Sequence, residues 1–228
     1  MTLSRAEFCR LVILPLLGIL VLSAGFHYYN WDIAMAEYFY SPSSGWYLKD
    51  AHPWDWLYDY GTWPGFLVTG TALVIGIGGF FVPEWRKWRR ECGVILLTLI
   101  IGSGLIVNSG LKQHWGRPRP RQIIRFGGNA EFMPLGVPGN PGGGNSFPSG
   151  HASMAFYWMS LYFVWRHHKP PTALIFLAVG FVYGLVMGMA RMLQGGHFAS
   201  DVLWAGVIMY FTPLCLSLWL IRRPVHDA

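Results

Sequence analysis

Long apolar runs separated by short polar segments extend along the whole chain. A run of about 17–25 apolar residues is long enough to cross the hydrocarbon layer of a bilayer as a helix. Six runs fit this description, the fourth being short: residues 8–28, 63–83, 92–111, 151–166, 172–192 and 201–221. The pattern therefore predicts an all-α integral membrane bundle of six transmembrane helices.

The first run also has features of a secretory signal sequence. Arg5 and Arg10 lie at the start of its apolar core, which ends in the small residues Ser23-Ala24-Gly25,. The apolar stretch is long for a signal sequence, and the aromatic cluster that follows it is typical of a membrane–water interface. We expect a membrane span, with a cleaved signal as the alternative.

The positions of Lys and Arg predict which loops face the cytoplasm. Basic residues cluster at the N-terminus, after the second and fourth runs, and at the C-terminus. These residues are Arg5, Arg10, Arg86, Lys87, Arg89, Arg90, Arg166, Lys169, Arg222 and Arg223. Such loops lie on the cytoplasmic side, so segment 29–61 is expected outside. Its stretch WDIAMAEYFY, residues 31–40, suits an external helix lying in the membrane interface.

Composition agrees with this class. The chain is 53% hydrophobic and 12% charged, whereas a soluble domain has about 25% charged residues. A net charge of +6 would suit nucleic-acid binding, but the cations lie in short loops between apolar runs, so no nucleic-acid partner is expected. No paired-cysteine metal motif is present, and neither a metal nor a cofactor is expected.

One external loop, residues 112–150, does not follow the charge rule. It carries five cations: Lys112, Arg117, Arg119, Arg121 and Arg125. Nonspecific attraction to anionic lipid head groups is one explanation. The other is an anion site framed by Lys112 and Arg119 in the stretch KQHWGRPRP, because Lys supplies a compact cation and Arg a planar fork that matches phosphate oxygens.

A second segment, PSGH at residues 148–151, places Ser149, Gly150 and His151 where an apolar helix begins. The first amides of a helix have no intrahelical partner, which makes them a seat for an anion. We expect the amides of Ser149 and Gly150 to point outward. The alternatives are that Ser149 is only a helix cap and that His151 is only an interfacial residue.

A third segment, RMLQGGHFASD at residues 191–201, joins the last two runs. Arg191 ends the fifth run, and His197 and Asp201 share a helix face if the helix begins near His197. Asp201 would then accept a hydrogen bond from one imidazole nitrogen and leave the other free, as in a His–Asp pair. Alternatively, Asp201 only interacts with the dipole of the last helix.

All three segments open to the same side of the membrane by topology. Ionisable residues at membrane depth cost about 2.5–3.5 kcal/mol each on insertion scales, so a group of them indicates function. The combined chemistry is that of phosphoryl transfer. Cations neutralise a phosphate, one His attacks phosphorus, and the other, protonated, donates to the leaving oxygen.

The three segments resemble the motifs of the type 2 phosphatidic acid phosphatase (PAP2) superfamily, which includes vanadium-dependent haloperoxidases. The pattern KxxxxxxRP matches Lys112 to Pro120, PSGH matches residues 148–151, and SRxxxxxHxxxD matches residues 190–201 with Ala190 in place of Ser. The resemblance covers residues 112–201. The six-span plan extends it to a single membrane domain, residues 1–228.

The resemblance implies a role for each matched residue. His197 is the nucleophile, Asp201 is its partner and His151 is the general acid. The implied phosphate ligands are Lys112, Arg119, Ser149, Gly150 and Arg191. Arg117 has no family-wide role and is left as a candidate head-group contact.

The resemblance further implies a metal-independent lipid phosphatase in the inner membrane of a bacterium, with its site facing the periplasm. The stretch ARMLQGGHFASDVLW is most similar to the lipid A phosphatase branch. Candidate substrates are lipid A, phosphatidylglycerol phosphate, phosphatidic acid and undecaprenyl diphosphate. A phosphotransferase using the same phospho-histidine and a non-catalytic lipid binder or transporter are the alternatives. The sequence indicates no oligomeric state.

Overall fold

The computed structural model describes residues 3–221. Within them the chain is 70% helix and has no strands, which confirms the all-α class. The main helices are α1 (Arg5–Tyr29), α2 (Trp31–Glu37), α3 (Trp54–Gly78), α4 (Pro83–His114), α5 (Gly150–Phe156), α6 (Met159–Trp165), α7 (Pro170–Leu193) and α8 (Ala199–Leu220).

Five of these helices, α1, α3, α4, α7 and α8, are long and apolar enough to cross a membrane. The predicted fourth span, residues 151–166, is instead two short helices, α5 and α6. Where they meet, the main-chain N–H groups of Trp158 and Ser160 donate to carbonyls only three residues back, of Ala155 and Tyr157. These tight turns interrupt the α-helical ladder, so the predicted count of six spans is not confirmed.

The outer faces of the long helices are apolar. On α1, Leu14 is 59% exposed, Leu17 54%, Leu20 64% and Val21 70%. Contiguous apolar surface of this kind marks a face covered by membrane or protein, and together with span-length helices it makes this a membrane protein. Two of the cations used to predict orientation, Arg222 and Arg223, lie outside the described residues.

The short helices α5 and α6 form the centre of the bundle and contact α4, α7 and α8. Ala152, Ala155 and Tyr157 are completely buried there. Because α5 begins at Gly150, this buried centre places the PSGH segment between the end of α4 and the start of α8.

The segment after α1 contains the predicted helix, α2, whose bounds are Trp31–Glu37. It contacts α1 and α8. Asp32 and Ala36 are buried, so one face of α2 packs against protein. This contact brings Asp32 close to the third segment.

Candidate active site

The end of α4 and the start of α5 meet at Gly150. A Cβ atom on this residue would lie 2.7 Å from Asn108 Oδ1 and 3.2 Å from Lys112 Nζ. A side chain here would require the ends of the Asn108 and Lys112 side chains to shift, so glycine allows both to lie this close,. The first and second segments therefore come together as the sequence predicts.

Ser149 is the N-cap of α5. Its Oγ accepts a hydrogen bond from the Ala152 amide at 3.4 Å, and its own N–H donates to the carbonyl of Asp201 at 3.1 Å. The expectation that the Ser149 amide is free of a partner is therefore wrong, because the start of α8 lies against it. Gly150 and His151 are in the first turn, where amides have no intrahelical acceptor.

The imidazole of His197 is buried, with 1% of the residue exposed. Its Nδ1 lies 2.6 Å from the main-chain carbonyl oxygen of Ser146 and 3.7 Å from Asp201 Oδ2. A carbonyl only accepts, so Nδ1 carries the proton and the lone pair is on Nε2. The sequence predicted that Asp201 accepts from one imidazole nitrogen and leaves the other free; in the structure the hydrogen bond of Nδ1 goes to the Ser146 carbonyl, with Asp201 Oδ2 farther away.

Burial lowers the pKa of His197 to about 4, and the cations Arg191 and Lys112 act in the same direction, whereas Asp201 opposes them. Desolvation and nearby positive charge both disfavour the imidazolium. At neutral pH the ring is therefore uncharged, which is the state that a nucleophilic nitrogen requires.

Asp201 is held by donors on several sides. Its Oδ2 accepts from Ser146 Oγ at 2.5 Å and from the Phe198 amide at 2.8 Å, and its Oδ1 accepts from Arg117 Nη1 at 2.6 Å. The hydrogen bond from the Phe198 amide caps the start of α8. Asp201 therefore interacts with the N-terminus of the last helix, as the alternative interpretation has it, and also lies close to His197. The carboxylate is fully buried and cannot turn without losing hydrogen bonds.

The guanidinium of Arg191 is buried near the end of α7, with 4% of the residue exposed. It donates through Nη1 to Gln194 Oε1 and lies 4.4 Å from the centroid of the Tyr58 ring. Its Nε has no hydrogen-bond partner among residues 3–221. A buried donor without an acceptor is costly, and a phosphate oxygen would satisfy it.

His151 is partly buried and is stacked on Tyr58, with ring centroids 5.0 Å apart and an interplanar angle of 19°. Four groups from the first and third segments are close enough to interact electrostatically with it. They are Arg191, His197, Lys112 and Arg119. The two imidazoles and the predicted cations therefore share one pocket.

The cations of this pocket lack negative partners. Within residues 3–221, none of Lys112, Arg119 and Arg191 forms an ion pair with a carboxylate. Arg119 Nε donates to the neutral Asn145 Oδ1 at 2.9 Å, and burial together with Arg121 lowers its pKa. The pocket is thus electropositive and suited to an anion.

Arg117 is not a head-group contact, contrary to the sequence-based suggestion. It is completely buried and pairs with Asp32 and Asp201. The residue lies between Lys112 and Arg119 in the sequence but is buried away from them, which spacing alone does not reveal.

Three contributors to the site were not identified from the sequence: Ser146, Tyr58 and Asp32. Ser146 lies in the stretch NSFPSGH, and its position next to the PSGH motif is the only local signal in the sequence. Tyr58 and Asp32 lie in stretches rich in aromatic residues, outside the three segments. Among the described residues no group of three or more His, Cys, Asp or Glu side chains is arranged to hold a metal ion.

Comparisons with known proteins identify the family. Residues 93–224 match the model of the PAP2 superfamily. The chain is 31% identical over 195 residues to a lipid A 4'-phosphatase of Francisella tularensis subsp. novicida (strain U112), covering 84% of this chain and 85% of that protein. It is 29% identical over 150 residues to phosphatidylglycerophosphatase B of Bacillus subtilis (strain 168), covering 61% and 62%.

A solved structure agrees with the fold. The crystal structure of a transmembrane PAP2-type phosphatidylglycerolphosphate phosphatase from Bacillus subtilis superposes with a TM-score of 0.55, over 92% of this chain and 97% of that one. Sequence identity is 23%, so this likeness concerns the fold alone. The family match over residues 93–224 and the 31% identical relative show that this chain belongs to the PAP2 superfamily.

Proposed function

We propose that this protein is a lipid phosphatase that hydrolyses a phosphomonoester or diphosphate of a membrane lipid through a phospho-histidine intermediate, without a metal. One observation carries the proposal. Three cations without carboxylate partners surround His151 and a buried, uncharged His197. Such a pocket is suited to an anion that is attacked by a neutral nitrogen.

The phosphate group occupies the space between Lys112, Arg119, Arg191 and the start of α5. Fixed cations neutralise its oxygens and stabilise the charge that develops during transfer. Gly150 brings the helix start close to the anion. Ser149 contributes mainly by shaping this turn, since its amide is already engaged with Asp201.

In the first step, His197 Nε2 attacks phosphorus. The N–P bond forms while the bond from phosphorus to the lipid oxygen breaks, and His151 donates a proton to that oxygen. Burial and the surrounding cations lower the pKa of His151 to about 3, and the negative charge of the bound phosphate raises it, so His151 takes up this proton together with the substrate. The Nδ1 proton stays hydrogen-bonded to the Ser146 carbonyl, so the ring becomes positively charged beside Asp201. The dephosphorylated lipid alcohol leaves.

In the second step, His151, now neutral, takes a proton from a water molecule as the water oxygen attacks phosphorus. The N–P bond breaks, inorganic phosphate is released, and His197 returns to its neutral form. A diphosphate substrate follows the same route, with a lipid phosphate as the leaving group.

The similarity to a lipid A 4'-phosphatase over 84% of the chain favours a phosphate group of lipid A as the substrate. Similarity to phosphatidylglycerophosphatase B covers a smaller share of the chain, 61%. Phosphatidylglycerol phosphate, phosphatidic acid and undecaprenyl diphosphate are the other substrates to test.

The site faces the periplasm from the inner membrane of a bacterium. This orientation is supported by the cations of the short loops, such as Arg86 and Lys87, which lie on the opposite side of the predicted topology from the pocket. Lipids of the outer leaflet then reach the pocket directly.

The proposal is tested by phosphate release from a panel of these lipids by the purified protein and by His197→Ala, with no acceptor lipid added. We expect release by the wild-type protein and a loss of at least about a thousandfold in the variant. Release only on addition of an acceptor would indicate a transferase. Phosphate release by His197→Ala equal to that of the wild type would contradict the proposal. Lipid binding without phosphate release by either protein would indicate a lipid binder and would contradict it as well.

A further inference from the structure

A buried ionic network lies behind the proposed nucleophile. The guanidinium of Arg117 bridges two carboxylates: Nη2 lies 2.7 Å from Asp32 Oδ2, and Nη1 lies 2.6 Å from Asp201 Oδ1. Ser200 completes the ring, since its amide donates to Asp32 Oδ1 at 2.9 Å, its Oγ donates to Asp32 Oδ2 at 2.5 Å, and its Oγ accepts from Arg117 Nη1 at 2.8 Å. Asp32, Arg117, Ser200 and Asp201 are each at most 1% exposed.

We propose that Asp32 and Arg117 are positioning residues, which hold Asp201 and thereby the ring of His197 in the geometry for attack. This inference rests on the proposed function, because it gives Asp32 and Arg117 a task in that reaction. It adds an external helix, α2, to the catalytic apparatus.

The geometry of Arg117 fits a positioning task. Its Nε donates to the carbonyl of Met133 at 3.0 Å, so the guanidinium has acceptors on three sides. Its centre also lies 4.6 Å from the ring centroid of Phe198, the residue directly after His197. A planar fork held in this way has one orientation, which a flexible Lys ammonium does not reproduce.

The net charge of the buried network also suits a positioning role behind His197. Two carboxylates and one guanidinium leave one surplus negative charge in the buried network. Burial raises the pKa of Asp32, while Arg117 and Ser200 act against this shift. Asp32 is the acceptor in every hydrogen bond described for it. This arrangement accommodates the ionised carboxylate. The surplus charge then offsets the positive charge that develops on His197 during attack.

Asp32→Asn tests the inference, because it keeps the shape of the side chain and removes its charge. We expect kcat to fall roughly 10- to 100-fold, the scale of a lost hydrogen bond to a charged group, with KM unchanged since the phosphate ligands are untouched. Glu37→Gln is the matched control. Glu37 is also on α2 and pairs with Arg125 of the same loop as Arg117, but the pair is exposed. The kcat of Glu37→Gln should therefore equal that of the wild type.

A double-mutant cycle separates positioning from general stability. If Asp32 acts through Arg117 on Asp201, then Asp32→Asn should have little further effect on kcat in an Asp201→Asn background. A full, multiplicative loss in that background would overturn the inference, as would a wild-type kcat in the single variant Asp32→Asn.

Size-exclusion profiles in detergent show whether each variant folds. If Asp32→Asn aggregates, Ser200→Ala replaces it, since it removes one donor to Asp32 with a residue suited to a helix. A fall of about tenfold in kcat is then expected, and an unchanged kcat overturns the inference. His197→Ala distinguishes the two ways in which this account can fail. If the proposed function is wrong, His197→Ala retains activity. If only the positioning role of Asp32 and Arg117 is wrong, His197→Ala is still inactive.

Discussion

The Nδ1 atom of His197 lies 2.6 Å from the main-chain carbonyl oxygen of Ser146, closer than any oxygen of Asp201. The turn before α5 thus fixes the tautomer of a ring that belongs to the segment before α8. Together with the hydrogen bond from the Ser149 amide to the carbonyl of Asp201, this contact joins the start of α5 to the third segment. It also means that the imidazole is oriented by the backbone, while Asp201 acts through its charge and through Ser146.

Substitution of Asp201 by Asn should therefore reduce activity without abolishing it. The carbonyl of Ser146 still accepts the Nδ1 proton, but the charge that stabilises the imidazolium is lost. We expect kcat to fall on the order of 100-fold, less than in His197→Ala. Steady-state phosphate release measures both.

Ser146→Ala provides the comparison for that variant. It removes the Oγ hydrogen bond to Asp201 but leaves the main-chain carbonyl in place, so kcat should fall by about tenfold or less. A loss as large as that of His197→Ala would show that the side chain of Ser146, and not its carbonyl, is what matters.

Tyr58 should contribute through its ring. It stacks on His151 and faces the Arg191 guanidinium, so it holds the proton donor and a phosphate ligand side by side. Aromatic pairs contribute about 0.5–1.5 kcal/mol beyond burial. Tyr58→Leu should lower kcat by up to about tenfold, whereas Tyr58→Phe keeps the ring and should stay near the wild type. Equal losses in both would assign the effect to the hydroxyl.

The lowered pKa of His197 predicts a pH dependence of stability. The ring takes up a proton near pH 6.5 when the chain is unfolded, but only near about 4 when it is folded. Between these values the unfolded state binds more protons, so the free energy of unfolding falls as the pH is lowered through this window and is unaffected above it.

The thermal midpoint of unfolding in detergent checks this expectation. The wild-type midpoint should fall more steeply from pH 6.5 to about 4 than that of His197→Gln, because Gln does not titrate. Parallel curves for the two proteins would contradict the shifted pKa.

Parts of this site can be predicted from the sequence because their residues lie in short segments at fixed spacing. His197 and Asp201 are four residues apart, and Lys112 and Arg119 lie in one stretch of nine. The alternation of apolar runs and loops predicts that the three segments lie on the same side of the membrane, which allows them to meet.

Other parts carry no such local signal. Asp32 reaches Arg117 across 85 positions of sequence, and an Asp on a short amphipathic helix is typical of a solvated face. The acceptor for His197 is a main-chain carbonyl, which is independent of residue type. The break between α5 and α6 falls in an uninterrupted apolar stretch, because local hydrogen bonding and not hydropathy ends α5.

The central claim is that His197 becomes covalently phosphorylated, and rapid quenching measures this directly. The purified protein is mixed with a lipid substrate labelled in its phosphate, denatured in alkali within one turnover, and digested for mapping. The account predicts an alkali-stable, acid-labile label on the peptide that contains His197, and no label in His197→Ala. Rapid turnover of the lipid with no label on that peptide, or with turnover retained in His197→Ala, would contradict it.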